Sequence, residues 1–311
     1  VTGERLIRTY GLTKEFRGRL AVDALDIEVE RGEVYGFLGP NGAGKTTTIR
    51  MLMGLLRPSA GRAEIFGLDA WRDRVTIHRR TGNLPGDFAF DQTLTGREAV
   101  SLFARLRGLD LYEQSRRLAE RFEADLDRPL KLLSTGNRQK IGLILTFAHE
   151  PELVILDEPT AGLDPLMQEE FLALVEEQRT AGTTIFLSSH NLAEVERCCD
   201  RVALIREGGL IAVDRVDALR HGFVHSVRFE FDRSPEPEAF AGLPNTRVRA
   251  TSGNVIELDA AATDIDELMR IAARWRIVDM TCSEPSLEQA FVSLYRDHDI
   301  DAPLTAERAD A

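Results

Sequence analysis

Apolar positions along this chain follow two periods, and each change of period marks an element. Val34-Tyr35-Gly36-Phe37-Leu38, Leu153-Val154-Ile155-Leu156 and Thr184-Ile185-Phe186-Leu187 are short, mostly apolar runs. Such runs are the pattern of strands buried on both faces of a sheet. Between them the period lengthens. Ile49, Leu52 and Met53 predict a helix over 46–55, and Val100, Leu102, Phe103 and Leu106 predict another. The second is opened by the capping box Thr95-Gly96-Arg97-Glu98, and a further helix is expected over 111–122. Residues from about 92 to 149 thus read as a helical insert between strands of an α/β core. Ahead of the core, Leu6, Ile7, Ala24, Leu25, Ile27 and Val29 read as strands of a small antiparallel piece.

Near Gly222 the character changes. Val227, Phe229 and Phe231 alternate with Arg228 and Glu230, as in a strand with one wet face. An amphipathic helix over 265–275, a strand over 277–282 and a last helix capped at Ser286 complete a small α+β domain. The expected organisation is therefore a first domain over 1–220, an accessory domain over 221–296 and a disordered polar tail over 297–311.

With 311 residues, 43% of them hydrophobic, the chain can bury two cores. A net charge of −12 and a pI near 5.1 leave no basic stripe for nucleic acid, which is not expected as a partner. Lysine stands only at positions 14, 45, 131 and 140. Three cysteines in such a length fit a reducing compartment. No apolar run approaches the ~20 residues of a membrane span, so a cytosolic protein is expected.

The chemistry begins at Gly39-Pro40-Asn41-Gly42-Ala43-Gly44-Lys45-Thr46-Thr47, which fits G-x-x-x-x-G-K-[ST] between a predicted strand and a predicted helix. Glycines let backbone N–H groups turn toward phosphate oxygens, and the helix start adds its positive dipole end. Lys45 supplies a charge to the β- and γ-phosphates, and the Thr46 hydroxyl is placed for Mg²⁺. Leu153–Leu156 runs straight into Asp157-Glu158, and carboxylates at a sheet end need a partner. Asp157 suits Mg²⁺, and Glu158, one residue on, can take a proton from an attacking water. His190 ends another buried strand and is a candidate for the γ-phosphate. Ser134, at a helix start, is an anion-binding arrangement or an ordinary cap. Phe16 and Tyr10 both stand ahead of the phosphate loop as candidates to stack on a nucleobase.

With these segments in this order, residues of about 4–220 resemble an ABC-transporter ATPase subunit. Gly39–Thr46 resembles the Walker A loop, Leu153–Asp157 the Walker B strand, and Glu158 the catalytic glutamate. Leu163-Asp164 is similar to the D-loop, His190 to the switch histidine, and Leu133-Ser134-Thr135-Gly136-Asn137-Arg138-Gln139 to the signature, with Thr135 replacing its first glycine. The resemblance implies a P-loop fold and catalytic roles for Glu158, His190 and Lys45. It implies ATP contacts from Phe16 (in preference to Tyr10), Gly39–Thr47, Ser134, Gly136 and Asp164, and Mg²⁺ at Thr46 and Asp157. It also implies a head-to-tail homodimer, in which Ser134 and Gly136 face the γ-phosphate held by the other copy's Lys45.

Glu284–Phe291 resembles the extension of daunorubicin-resistance-type ATPases, which pair with a separate permease at the cytoplasmic face of the membrane. One departure stands out. Gly86, in Leu84-Pro85-Gly86-Asp87, occupies the place of the Q-loop glutamine; either Asp87, the nearest side chain with an oxygen, replaces it at Mg²⁺, or water fills the position and Asp87 sits in a solvated turn. The expected function is ATP hydrolysis that powers export. The alternative is a soluble ABC ATPase with a regulatory or non-transport role; the single phosphate loop argues against a translation factor, which carries two ATPase halves.

Overall fold

A computed structural model of the chain describes residues 4–87, 90–221, 225–240 and 242–283. The last predicted helix, from Ser286, and the tail over 297–311 lie outside the described residues. The chain divides into two compact units, Val1–Asp214 and Arg215–Ala311. The division falls six residues before the expected boundary at 220, because the helix Val216–His221 goes with the second unit.

The first unit contains two sheets. In the larger, strands follow the order Gly209–Arg215, Arg201–Arg206, Val34–Leu38, Thr184–Ser189, Leu153–Asp157, Thr81–Leu84. From Arg201–Arg206 to Thr81–Leu84 every neighbouring pair is parallel. Every residue of Val34–Leu38, Leu153–Asp157 and Thr184–Ser189 is buried, which is why these strands read as mostly apolar runs. The second sheet is antiparallel and is built on the long strand Arg5–Phe16, which pairs with Arg19–Leu25, Glu28–Glu30 and Ala60–Ile65. Leu6, Ile7, Val29 and Ile65 from this sheet share one core with Tyr35, Phe37 and Phe186 from the parallel one.

The helical insert holds Gly96–Arg107, Tyr112–Arg121 and Thr135–Phe147 around a core of Ala99, Leu111, Leu130, Ile141 and Ile144. Its entry is the capping box read from sequence: the Thr95 hydroxyl accepts from the Glu98 N–H, and the Thr95 N–H donates to the Glu98 carboxylate. Ahead of the insert, the helix Arg74–Arg80 and the strand Thr81–Leu84 are among the elements that the apolar pattern does not predict.

The second unit carries an antiparallel sheet in the order Thr246–Ser252, Val255–Ala260, His225–Phe231, Ile277–Ser283. Val227, Phe229 and Phe231 are buried on the face that also holds Phe240, Leu268 and Trp275. The helix Ile265–Ala272 supplies the rest of that core. The alternation read from sequence therefore marks the inward face.

Candidate functional site

The phosphate loop runs from the buried strand Val34–Leu38 into the helix Lys45–Leu52. Gly44 caps that helix with φ +108°, and Gly42 has φ +83°, conformations that side-chain-bearing residues rarely adopt. Space is as restrictive as dihedral. A Cβ at Gly44 would lie 2.5 Å from the Ala21 carbonyl oxygen, and one at Gly39 would lie 2.5 Å from that of Ile205. The loop thus wraps a cavity of about 200 Å³ lined by Ala21, Pro40, Asn41, Gly42, Gly44, Lys45, Thr46, Thr47 and Glu158. Apart from the Glu158 carboxylate at its edge, this shell of backbone N–H groups, hydroxyls and one ammonium is a donor set for polyphosphate.

Lys45 is only 6% exposed. Its Nζ donates to the carbonyls of Gly39 (2.6 Å) and Pro40 (3.3 Å) and lies 3.2 Å from Glu158 Oε1. The other oxygen, Glu158 Oε2, lies 2.7 Å from His190 Nδ1. One carboxylate therefore bridges the ammonium and the imidazole. Glu158 holds a left-handed backbone, φ +51°, while its N–H donates to the carbonyl and hydroxyl of Ser188 on the next strand. Such a dihedral costs of order 1–3 kcal/mol in a residue with a side chain and persists only where neighbours over-determine it.

Asp157, 1% exposed, ends the strand Leu153–Asp157 and accepts from Ser188 Oγ at 2.6 Å. The donor to this oxygen is a neutral hydroxyl rather than a cation, which suits a carboxylate kept for a hard metal ion. Gly86 stands directly against it: a Cβ there would lie 3.0 Å from Asp157 Oδ2. Asp87 points elsewhere. Its carboxylate is 92% exposed, 3.6 Å from Arg50 Nη2, which favours the reading of a solvated turn over that of a metal ligand.

The signature segment caps the helix Thr135–Phe147, with Ser134 Oγ accepting from the Asn137 N–H. Gly136 touches the turn before the next helix, and a Cβ there would collide with the Gly162 carbonyl. Asp164 caps Pro165–Thr180 by accepting from the Met167 N–H. These residues lie together; the lining of the phosphate cavity is formed by others. Phe16 is 48% exposed at the end of a hairpin, with Lys14 Nζ 5.1 Å from its ring centroid. Tyr10 is committed elsewhere, with Arg62 at 3.8 Å over its ring and its hydroxyl donating to Glu64.

Sequence reasoning missed the residues that hold this machinery. Ser188 orients Asp157, and Gln139 Nε2 donates to the carbonyls of Glu158 and Pro159. The two serines closing an otherwise apolar strand were the available signal for the first.

Comparison with known proteins agrees with this geometry. Residues 22–161 match the family model described as ABC transporter. The bacitracin transport ATP-binding protein BcrA of Bacillus licheniformis is 39% identical over 218 residues, 69% of this chain and 71% of its own length. The chain belongs to the ABC transporter ATP-binding family. The daunorubicin/doxorubicin resistance ATP-binding protein DrrA of Streptomyces peucetius is 42% identical over 214 residues, 67% of this chain and 64% of that protein. Among solved structures, an ATP-binding subunit of an ABC transporter superposes with a TM-score of 0.65 at 32% identity, covering 70% of this chain and 92% of that one. Membership makes this chain an ATP-binding cassette with ATPase chemistry. No helix among the described residues is long and apolar enough to cross a membrane.

Proposed function

We propose that this chain is the ATP-hydrolysing subunit of an exporter whose membrane-spanning permease is a separate protein, and that it works at the cytoplasmic face of the membrane. The names of the two relatives, which concern bacitracin transport and daunorubicin/doxorubicin resistance, support a role in drug export. The observation that carries the chemistry is the line Lys45–Glu158–His190 at the mouth of the phosphate loop.

In this reading the loop from Gly39 to Thr47 and the Lys45 ammonium bind the phosphates of ATP, and Phe16 stacks on its base. Glu158 accepts a proton from the attacking water, and His190 orients that carboxylate from its second oxygen. Thr46 and Asp157 would hold Mg²⁺, which when bound offsets the charge that develops on the phosphates. Ser134, Gly136 and Asp164 serve the site of a second copy, so ATP joins two cassettes.

Glu158→Gln tests the assignment. The amide keeps the volume and loses the basicity, so ATP affinity is retained while turnover falls by ~10²-fold or more. Near-normal turnover in that variant removes Glu158 from the role.

A further inference from the structure

Glu194 is a buried acid with no part in the chemistry above. It lies in the helix Leu192–Cys198, 6% exposed. Its Oε2 accepts from Ser189 Oγ at 2.9 Å and from Thr160 Oγ1 at 3.1 Å. Its Oε1 is buried and receives no hydrogen bond from any described residue. Burial raises its pKa above the usual carboxylate range, against the pull of the two hydroxyls. An acid in such a place costs stability that an apolar residue of similar size would not.

What it joins accounts for its presence. Thr160 stands two residues after Glu158, and Ser189 stands one residue before His190. The Ser189 hydroxyl accepts from the Asn191 N–H at 2.9 Å, which leaves its own proton for Glu194. The covalent chain from Glu158 to Thr160, the hydroxyl–carboxylate–hydroxyl link and the chain from Ser189 to His190 close a ring through the Glu158–His190 contact of 2.7 Å.

We propose that Glu194 is a positioning residue that sets the spacing of Glu158 and His190 by clamping the two turns that carry them. It acts through Thr160 and Ser189 and touches neither water nor phosphate in this role. The inference rests on the reading of Glu158 as the base.

The test is steady-state ATPase kinetics on the full chain. Glu194→Ala lowers kcat by ~10- to 100-fold, the scale of a displacement near 1 Å at a reacting group, with KM for ATP within about twofold of the parent. Glu194→Gln, whose amide oxygen still accepts both hydroxyls, retains kcat within about threefold. The pair Thr160→Val and Ser189→Ala removes the clamp from its other side, reproduces the loss, and adds nothing further when combined with Glu194→Ala. That pair also carries the test if Glu194→Ala does not fold.

Three results overturn the clamp: kcat unchanged in Glu194→Ala or in the Thr160/Ser189 pair, a rise in KM alone, or Glu194→Gln as slow as Glu194→Ala. Glu158→Gln in the same assay separates the two failures. If it turns over normally, the base assignment falls. If it is inactive while Glu194→Ala is normal, only the clamp falls.

Discussion

Gly86 offers the sharpest quantitative test of the metal side of the site. The absence of the family glutamine invites the expectation that Gly86→Gln would recover a lost ligand, but the structure points the other way. A Cβ at 86 lies 3.0 Å from Asp157 Oδ2 and 3.2 Å from its Cγ, closer than side chains ordinarily approach. Asp157 cannot retreat. It is 1% exposed, held by Ser188 Oγ, and sits at the end of a strand paired on both sides, Leu156 with Leu84 and Asp157 with Ser188. The loop must therefore shift, and overpacking of this kind costs roughly 1–3 kcal/mol. If that cost falls on the metal-bound state, at about 1.4 kcal/mol per tenfold it raises the Mg²⁺ concentration for half-maximal activity by ~5- to 150-fold. Titration of ATPase activity with free Mg²⁺ at saturating ATP reads this directly, with a melting curve to follow the fold. Asp87→Ala, on a carboxylate that faces solvent and Arg50, leaves the titration unchanged. A Gly86→Gln protein that needs the same or less Mg²⁺ than its parent would refute the steric argument.

Three further outcomes are expected. Glu158→Gln sediments as a dimer with Mg-ATP and as a monomer with ADP, because ATP must join two negatively charged chains; a dimer insensitive to nucleotide would contradict the shared site. Burial beside the Phe103 ring, with Arg107 adding to the effect, lowers the pKa of His149 from 6.5 to about 4. Between those values the unfolded chain binds the extra proton, so stability falls as pH drops from 6.5 toward 4, by up to about 3 kcal/mol. His149→Phe should flatten that part of the stability–pH curve in denaturant titrations, and an unchanged slope would remove His149 as its cause. Glu152, whose pKa is lowered to about 2 by hydrogen bonds from Arg80 and then Arg31, contributes stability above about pH 4.5 that is lost as pH falls through about 2. The group is 46% exposed, so screening leaves ~1 kcal/mol, and Glu152→Ala should lower Tm at neutral pH by about 2–4 °C.

Residues whose side chains have one environment were legible before the structure. Strands such as Leu153–Leu156 are buried on both faces, so nothing polar interrupts them, and carboxylates at such an end announce a site. The phosphate loop is equally transparent, since its glycines answer to dihedral and space rather than to a partner far away in sequence. Elements stabilised by context were not. Arg74–Arg80 buries only Ile77, so it shows no periodic stripe. Thr246–Ser252 is largely exposed and carries arginine and threonine where a buried strand would be apolar. The contact of Gly86 with Asp157 spans 71 residues of chain, and a glycine bears no mark of what it approaches. Glu194 in Leu192–Cys198 reads as one more solvated acid until the fold turns it inward.

The scarcity of lysine, combined with its burial, gives the molecule a chemical fingerprint. Lys45 and Lys140 are 6% and 9% exposed, while Lys131 is open to solvent and Lys14 reaches the Arg57 carbonyl from the surface. Among the lysines, amine-directed acylation at limiting reagent should therefore mark Lys14 and Lys131 first, and peptide mapping needs to follow four lysines beside the α-amine. The acylation rate at Lys45 then becomes a clock for opening of the phosphate loop. A substitution that loosens the grip of Gly39 and Pro40 on its ammonium would quicken that clock while the rates at Lys14 and Lys131 hold steady.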